Sequence, residues 1–177
     1  MSFVASSLLT SLGLALIAVF FAVGLVRKPD AWRRLPRAVW PGSVLAFICL
    51  GWAAWHVAQM LEGSLAAYRG FLPLLVPLIT VLCAWQLDYL FARAFGGFLL
   101  LLVHHLLYVA FVADVPGRAV FSLVCYLLSL PAFVIVASPW RLRDLLKAAT
   151  ESSRVRIGVT AGLAAGAAFY AVEGLLG

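Results

Sequence analysis

Basic residues are dense in every second connection between six apolar stretches of this chain, and this alternation constrains its fold more than any other feature. Each stretch has about the ~20 residues that a helix needs to cross a ~30 Å hydrocarbon layer. The stretches run from Phe3 to Val26, Val39 to Leu61, Phe71 to Ala92, Phe95 to Ala113, Arg118 to Ala137 and Ile157 to Leu176. The sequence therefore predicts an all-α polytopic integral membrane protein, with six transmembrane helices in one bundle and one domain over residues 1–177.

The same basic residues predict how the chain is oriented. One set of alternate connections holds only Arg69 and Arg118. The other set holds the remaining eleven, which are Arg27, Lys28, Arg33, Arg34, Arg37, Arg93, Arg141, Arg143, Lys147, Arg154 and Arg156. Short loops rich in Lys and Arg stay on the cytoplasmic side of a membrane. We therefore expect the first, third and fifth loops in the cytoplasm and both termini on the outer face.

The composition favours a membrane protein and argues against a nucleic-acid-binding one. Hydrophobic residues make up 65% of the 177 residues and charged residues only 11%, which leaves too little polar surface for a soluble globule. The net charge of +6 comes from loops beside the apolar stretches, where basic residues contact anionic lipid headgroups. Because arginine outnumbers lysine and Ala, Leu and Gly are abundant, a GC-rich bacterium and its inner membrane are expected.

Two connections have distinctive sequences. Only Arg93 to Gly96 separate the third and fourth stretches, so we expect a tight hairpin turn at Gly96 and Gly97. After the fifth stretch, Trp140 to Ala149 places leucines on one helical face and charged residues elsewhere, which is typical of a helix in the headgroup region. The sequence therefore predicts a short cytoplasmic amphipathic helix before the last span.

Small residues mark one face of the last stretch. Gly158, Gly162 and Gly166 recur every four residues and have alanines beside them. Lipid offers no hydrophobic drive for helix association, so membrane helices pair through such small-residue faces. We predict that this face is a packing seam rather than a lipid-exposed surface. Its partner is either the rest of the same chain or a second subunit or copy.

Three histidines at membrane depth are the candidate cofactor-binding residues. His56 lies in the second stretch, and His104 and His105 lie near the middle of the fourth. Adjacent helical positions point ~100° apart, so one of the pair is expected to face inward, and Tyr108 on the same face favours His105. Haem b or a quinone is the cofactor hypothesis. A depth difference of ~7 Å between His56 and His105 argues against one haem iron between them, and satisfied core histidines are the alternative.

Asp88 and the three cysteines are expected to have structural roles. Asp88 lies about one turn from the cytoplasmic end of the third stretch and is expected to pair with Arg93 or a loop arginine. Cys49, Cys83 and Cys125 lie in three different stretches without a neighbouring thiol. Packing is therefore their expected role, rather than a disulfide or a metal site.

The function classes that remain open require different features of the chain. Short loops and the small-residue face favour an accessory or anchor subunit of a larger bacterial membrane complex, linked to electron transfer through a haem or quinone at the histidines. Its partners would be lipids and other membrane subunits, or further copies. The alternative is a small oligomeric transporter or channel whose third helix bends at Pro73 and Pro77. Enzymatic activity of its own is not expected, because no known catalytic motif is present.

Overall fold

Every regular element is helical in the part of the chain that this computed structural model describes, residues 3–27, 32, 34–114 and 117–176. Helix α1 spans Phe3–Val19 and continues through a π-helical segment, Phe20–Gly24, into Leu25–Arg27. The helices that follow are α2 Val39–Met60, α3 Leu72–Gln86, α4 Leu90–Val112, α5 Arg118–Ala137, α6 Trp140–Glu151 and α7 Ser153–Leu176. A 3-10 helix, Gly63–Phe71, precedes α3 and extends its apolar span to Ala66–Gln86. With this extension, all helices except α6 are long and apolar enough to cross a membrane, which confirms six apolar helices.

Helix α6 is amphipathic, as predicted, and lies between the last two apolar helices. Leu142 and Leu146 are buried, whereas Asp144 and Lys147 on the other face are exposed. The buried leucines are one helical turn apart and pack into an apolar cluster with side chains of α1, α4 and α5. Helix α6 therefore covers one end of the helix assembly and is not a seventh apolar helix.

The turn between α3 and α4 lies earlier in the chain than predicted. Gly96 and Gly97, the expected turn residues, lie inside α4. The chain instead turns at residues 87–89, where Tyr89 adopts a left-handed backbone conformation with a φ of 59°. The prediction for this turn was wrong, and the fourth apolar helix begins at Leu90.

The position of Arg93 explains why the turn between α3 and α4 differs from the predicted one. Arg93 lies in the first turn of α4, and its Nη1 is 3.5 Å from the carbonyl oxygen of Val136 on α5. A long basic side chain can place its stem along apolar neighbours and its charged head near the interface, so it does not end the span. Asp88 lies exposed in the preceding turn. Contrary to expectation, the described residues contain no ion pair between Asp88 and Arg93.

The helices pack around α4. Helix α4 lies against α2 on one side and α5 on another, α3 packs against α2, and α1 packs along α7. Two of these contacts depend on single glycines. A Cβ at Gly42 of α2 would lie 2.7 Å from the backbone nitrogen of Phe91, and one at Gly96 would lie 2.7 Å from Cγ2 of Val136. The absence of a side chain at both positions therefore lets α4 approach its two neighbours closely.

Two clusters of buried side chains connect the helices. One lies between α1, α4, α5 and α7 and contains Phe3, Leu14, Val103, Leu106, Val109, Ala110, Phe121, Cys125, Ala167 and Tyr170. The other lies between α1, α4, α5 and α6 and contains Phe21, Leu25, Ala92, Ile135, Leu142, Leu146 and Ala149. Many other large apolar side chains are exposed, as is typical of a surface that contacts lipid.

The cysteines lie at helix contacts. Cys49 is buried and its thiol is 3.5 Å from the carbonyl oxygen of Ala94, while Cys125 is buried with its Sγ 3.3 Å from the hydroxyl of Tyr170. Cys83 is half-buried. Cys49 and Cys125 are therefore packing residues, as the sequence predicted.

Three basic connections meet at one end of the helix assembly, which is called the basic end below. Arg37 precedes α2, Tyr89 precedes α4 and Arg143 belongs to α6, and both guanidinium groups contact the Tyr89 hydroxyl. The first, third and fifth connections therefore lie on the same side, as the alternating charge pattern predicted. Lys28 and Arg33 of that pattern lie outside the described residues.

Candidate functional site

The candidate site is a cluster of aromatic and imidazole rings between α2 and α4. The ring centroids of His56 and His104 are 5.4 Å apart, with the rings edge to face at 85°. The ring of Trp52 lies 5.8 Å from that of His105 and 6.4 Å from that of His56. The three predicted histidines are therefore brought together. Trp52, which the sequence did not single out, completes this histidine cluster.

The position of α4 explains why His56 meets His104. Because α4 begins at Leu90 rather than Phe95, His104 and His105 lie beyond its middle, towards the end opposite the basic end. His56 lies near the same end of α2. The paired histidines therefore lie three to four residues beyond the middle of α4, and His56 contacts His104 rather than His105, for which the ~7 Å depth difference was expected.

His105 faces inward and His104 faces outward, as predicted, although the reason differs. The Nε2 of His105 is 3.2 Å from the hydroxyl oxygen of Ser6 on α1, and its side chain is half-buried. His104 is exposed. Tyr108 does not share the inward face as expected, because it is 61% exposed. The partner that orients His105 therefore comes from α1, which sequence spacing within α4 does not reveal.

Two imidazoles of the histidine cluster keep free hydrogen-bonding capacity. A neutral imidazole carries one donor and one acceptor. Within the described part of the chain, no hydrogen bond reaches the ring of His56 or His104, although the rings contact each other. An N–H and a ring nitrogen are therefore available to another molecule on the surface of α4.

A haem held between two of these histidines does not fit this arrangement. Two imidazoles that ligate one haem iron lie on opposite faces of the porphyrin, whereas the rings of His56 and His104 pack directly against each other. His105 directs its Nε2 to Ser6 instead. Among the described residues there is also no group of three or more His, Cys, Asp or Glu side chains that could hold a metal ion. A quinone carbonyl, which needs only a hydrogen-bond donor, is compatible with the exposed imidazole.

The small-residue face of α7 is packed at one of its three glycines. A Cβ at Gly166 would lie 3.5 Å from Leu14 on α1, whereas a Cβ at Gly158 or Gly162 would meet no described atom within 4 Å. Gly158 and Gly162 are exposed. The chain itself therefore covers only the part of this face nearest α1, and the seam predicted at the other two glycines stays a prediction about another molecule.

Gly162 and Gly166 line an apolar groove of about 600 Å³ between α5 and α7. Leu127 and Pro131 of α5 form the opposite wall, and side chains of α1 and α4 form the floor. At the basic end the groove is lined by Leu142 and Leu145 of α6. None of its lining side chains is charged, so the groove favours an apolar occupant over an ion or a polar solute.

Helix α3 contains the two prolines on which the transport alternative depends. Pro73 lies in its first turn, where the missing amide hydrogen has no helical partner in any case, and Pro77 lies inside the helix. Neither proline lines the groove, and most of α3 is exposed. A path along α3 would therefore need further copies of the chain, and it stays a prediction.

A second polar cluster lies at the basic end and was not predicted. The Nη2 of Arg37 and the Nη1 of Arg143 lie 2.6 Å and 3.2 Å from the hydroxyl oxygen of Tyr89. The guanidinium carbon of Arg37 is also 4.7 Å from the centre of the Tyr89 ring. The three residues come from distant connections, so local spacing carries no signal of their contact.

Comparisons of the chain with protein-family models, with curated proteins and with solved structures find no match. The function is therefore inferred from the histidine cluster, the groove and the basic end of this chain.

Proposed function

We propose that the chain is an integral protein of a bacterial inner membrane, with the basic end in the cytoplasm and both termini on the outer face. The six apolar helices support a multi-pass protein. The eleven-to-two distribution of basic residues supports the orientation, because Lys- and Arg-rich short loops stay cytoplasmic. Helices α1 to α7 are proposed to form one bundle, in which α6 lies in the headgroup region.

We further propose that it is an accessory or anchor subunit of a larger membrane complex, with the histidine cluster as its contact. The exposed imidazole of His104 beside His56 carries this proposal. A polar group without a partner in hydrocarbon costs roughly several kcal/mol, and lipid chains offer no hydrogen bond. A partner subunit with a hydroxyl or amide group at this depth would supply the missing bonds.

A quinone at the same imidazoles is the narrower form of this proposal and would link the complex to electron transfer. The N–H of His104 or His56 would donate a hydrogen bond to a quinone carbonyl oxygen, and the apolar surface of α4 would contact its tail. The electron carrier would belong to the partner subunit, since the histidine geometry disfavours a haem in this chain.

Reporter fusions test the orientation. A reporter that is active only outside the cytoplasm is expected to be active when fused before Met1 or after Gly177. A fusion in the α2–α3 connection should behave in the same way, while one in the α3–α4 turn should be inactive. Activity of a cytoplasm-specific reporter at both termini would contradict the proposed orientation.

Native membranes test the assembly. Solubilised in a mild detergent, the chain is expected to migrate in a complex much larger than its 19.1 kDa. Replacing His56 and His104 together by Leu removes two interhelical hydrogen-bond sites, worth about 1–3 kcal/mol in total, and should reduce the complexed fraction roughly tenfold. Phe133→Leu is the matched control, because Phe133 is 65% exposed on α5, away from the histidine cluster. A wild-type chain that migrates alone, or equal recovery of the two variants, would contradict the subunit proposal.

Solvent extraction tests the quinone. The purified complex is expected to yield about one quinone per chain, and the His104→Leu variant should lose most of it while keeping its thermal midpoint. Absorbance spectra with and without dithionite separate this result from a haem. If His104→Leu leaves the quinone content unchanged, the quinone does not bind at this imidazole. That result would leave the subunit proposal unaffected.

A further inference from the structure

Two guanidinium groups at the basic end converge on one oxygen. Arg37 reaches the hydroxyl of Tyr89 from the first connection and Arg143 reaches it from α6. Like charges at such short range repel each other, and a neutral hydroxyl does not balance them. A bound anion in contact with both guanidinium groups would reduce this repulsion.

Among the described residues, Asp144 is the carboxylate that forms an ion pair in this basic cluster. Asp144 accepts hydrogen bonds from Nε and Nη2 of Arg143 at 3.0 Å and 2.8 Å, and these bonds raise the pKa of Arg143, which stays charged. In the described ranges, no carboxylate contacts Arg37. Arg93 adds a further positive charge at this end, and its Nε is buried without a hydrogen-bond partner.

Tyr89 also connects this basic cluster to the groove. Its ring packs against the apolar cluster that contains Leu142, and Leu142, Leu145 and Phe95 line the groove at its basic end. Tyr89 has a left-handed backbone conformation, which is unfavourable for a non-glycine residue. In this conformation the ring of Tyr89 contacts apolar neighbours while its hydroxyl contacts both arginines.

The length of the groove along α7 indicates what kind of molecule it accommodates. Along α7 it extends from Val159 to Tyr170, about 16 Å at 1.5 Å per residue, which is about half of a ~30 Å hydrocarbon layer. This length matches the acyl chain of a lipid in one leaflet, and the uncharged lining side chains suit such a chain.

We propose that the basic end and the groove together bind one anionic phospholipid, with its phosphate on Arg37 and Arg143 and an acyl chain in the groove. The lipid belongs to the leaflet at the basic end. Fork-shaped guanidinium groups match phosphate oxygens, and basic pockets between membrane helices recognise anionic headgroups. This site is separate from the histidine cluster and does not depend on a partner subunit.

Thermal unfolding of the purified full chain in a neutral detergent tests the site. Phosphatidylglycerol at about 100 times its dissociation constant is expected to raise the thermal midpoint by about 5–10 °C, and phosphatidylcholine with the same acyl chains should not. Changing Arg37 and Arg143 together to Gln should weaken phosphatidylglycerol binding at least tenfold. Arg141→Gln removes the same charge from an exposed position of α6 and should leave binding unchanged. Should the double variant not fold, Tyr89→Phe removes the oxygen that orients both arginines and is expected to weaken binding as well.

A second variant tests the acyl chain. Gly162→Leu places a side chain in the groove, and its Cβ would lie more than 4 Å from every described atom, so the chain should still fold. It should weaken binding of long-chain phosphatidylglycerol and spare the short-chain form. Equal stabilisation by phosphatidylcholine or by inorganic phosphate would overturn the proposal, as would unchanged binding in the double arginine variant or in Gly162→Leu. A midpoint that rises with protein concentration but not with phosphatidylglycerol would assign the groove to a second copy of the chain instead.

Discussion

Replacing Gly42 or Gly96 by alanine is expected to destabilise the protein by about 1–3 kcal/mol for each change, as overpacking does elsewhere. The new Cβ at position 42 would lie 2.7 Å from the backbone nitrogen of Phe91, which cannot move without shifting α4. At position 96 it would lie 2.7 Å from Val136 and 2.9 Å from the carbonyl oxygen of Ala132. Both changes therefore push α4 away from a neighbouring helix.

Each of these helices offers a matched control for the glycine changes. A Cβ at Gly51 of α2 or Gly97 of α4 would meet no described atom within 4 Å. Alanine there is expected to be neutral or to stabilise by up to about 1 kcal/mol, because it has a higher helix propensity than glycine. Thermal midpoints in detergent measure the difference, at roughly 2–4 °C per kcal/mol. If Gly42→Ala and Gly96→Ala behaved like their controls, α4 would not pack as closely as described.

The membrane-length features of the fold could be predicted from the sequence because they depend on local composition alone. A helix that crosses hydrocarbon needs a long apolar stretch, whatever it packs against. The amphipathic α6 follows from the same kind of local pattern, since its leucines recur on one face. Both predictions hold for the described residues.

The turn between α3 and α4 could not be placed in this way. Arg93 interrupts the apolar sequence, and Gly96 with Gly97 follows it, so the local pattern indicates a turn there. The structure instead places Nη1 of Arg93 3.5 Å from the carbonyl oxygen of Val136 on α5 and forms the turn at Tyr89, whose hydroxyl contacts Arg37 and Arg143. Both contacts involve residues distant in sequence, and only tertiary structure brings them together.

The glycines show a related limit. The regular spacing of Gly158, Gly162 and Gly166 indicates a packing face, yet the two tightest approaches between described helices, at 2.7 Å, are at the isolated Gly42 and Gly96. One glycine at a helix crossing is sufficient for close approach, while a repeated spacing only provides a smooth surface. The sequence pattern therefore indicates that a face can be packed but does not identify what packs there.

The histidine cluster could be predicted from the sequence only in part. The sequence identified its three histidines and the inward orientation of His105, but it missed Trp52 and the direct contact between His56 and His104. Helical geometry alone separates adjacent residues onto different faces. The contact across α2 and α4 depends on where each helix begins, and that boundary shifted by about one turn.

The two adjacent histidines are expected to respond oppositely to replacement by leucine. His105→Leu removes the hydrogen bond to Ser6 and the contact with Trp52, which should destabilise the isolated chain by about 1–2 kcal/mol. His104→Leu should change its stability by less than about 0.5 kcal/mol, because this side chain is exposed and contacts only His56 among the described rings. Recovery of the complex and its quinone should instead fall with His104→Leu.

Thermal unfolding in detergent and recovery of the complex from native membranes, measured on the same variants, separate the two roles. His105→Gln keeps an amide donor within reach of Ser6 and is expected to recover part of the stability that His105→Leu loses. It should leave the complex intact, since His104 is unchanged. Equal tolerance of both leucine changes in both measurements would mean that neither histidine carries function, and the chain would then act as a structural helix bundle whose ligand contacts lie at the basic end.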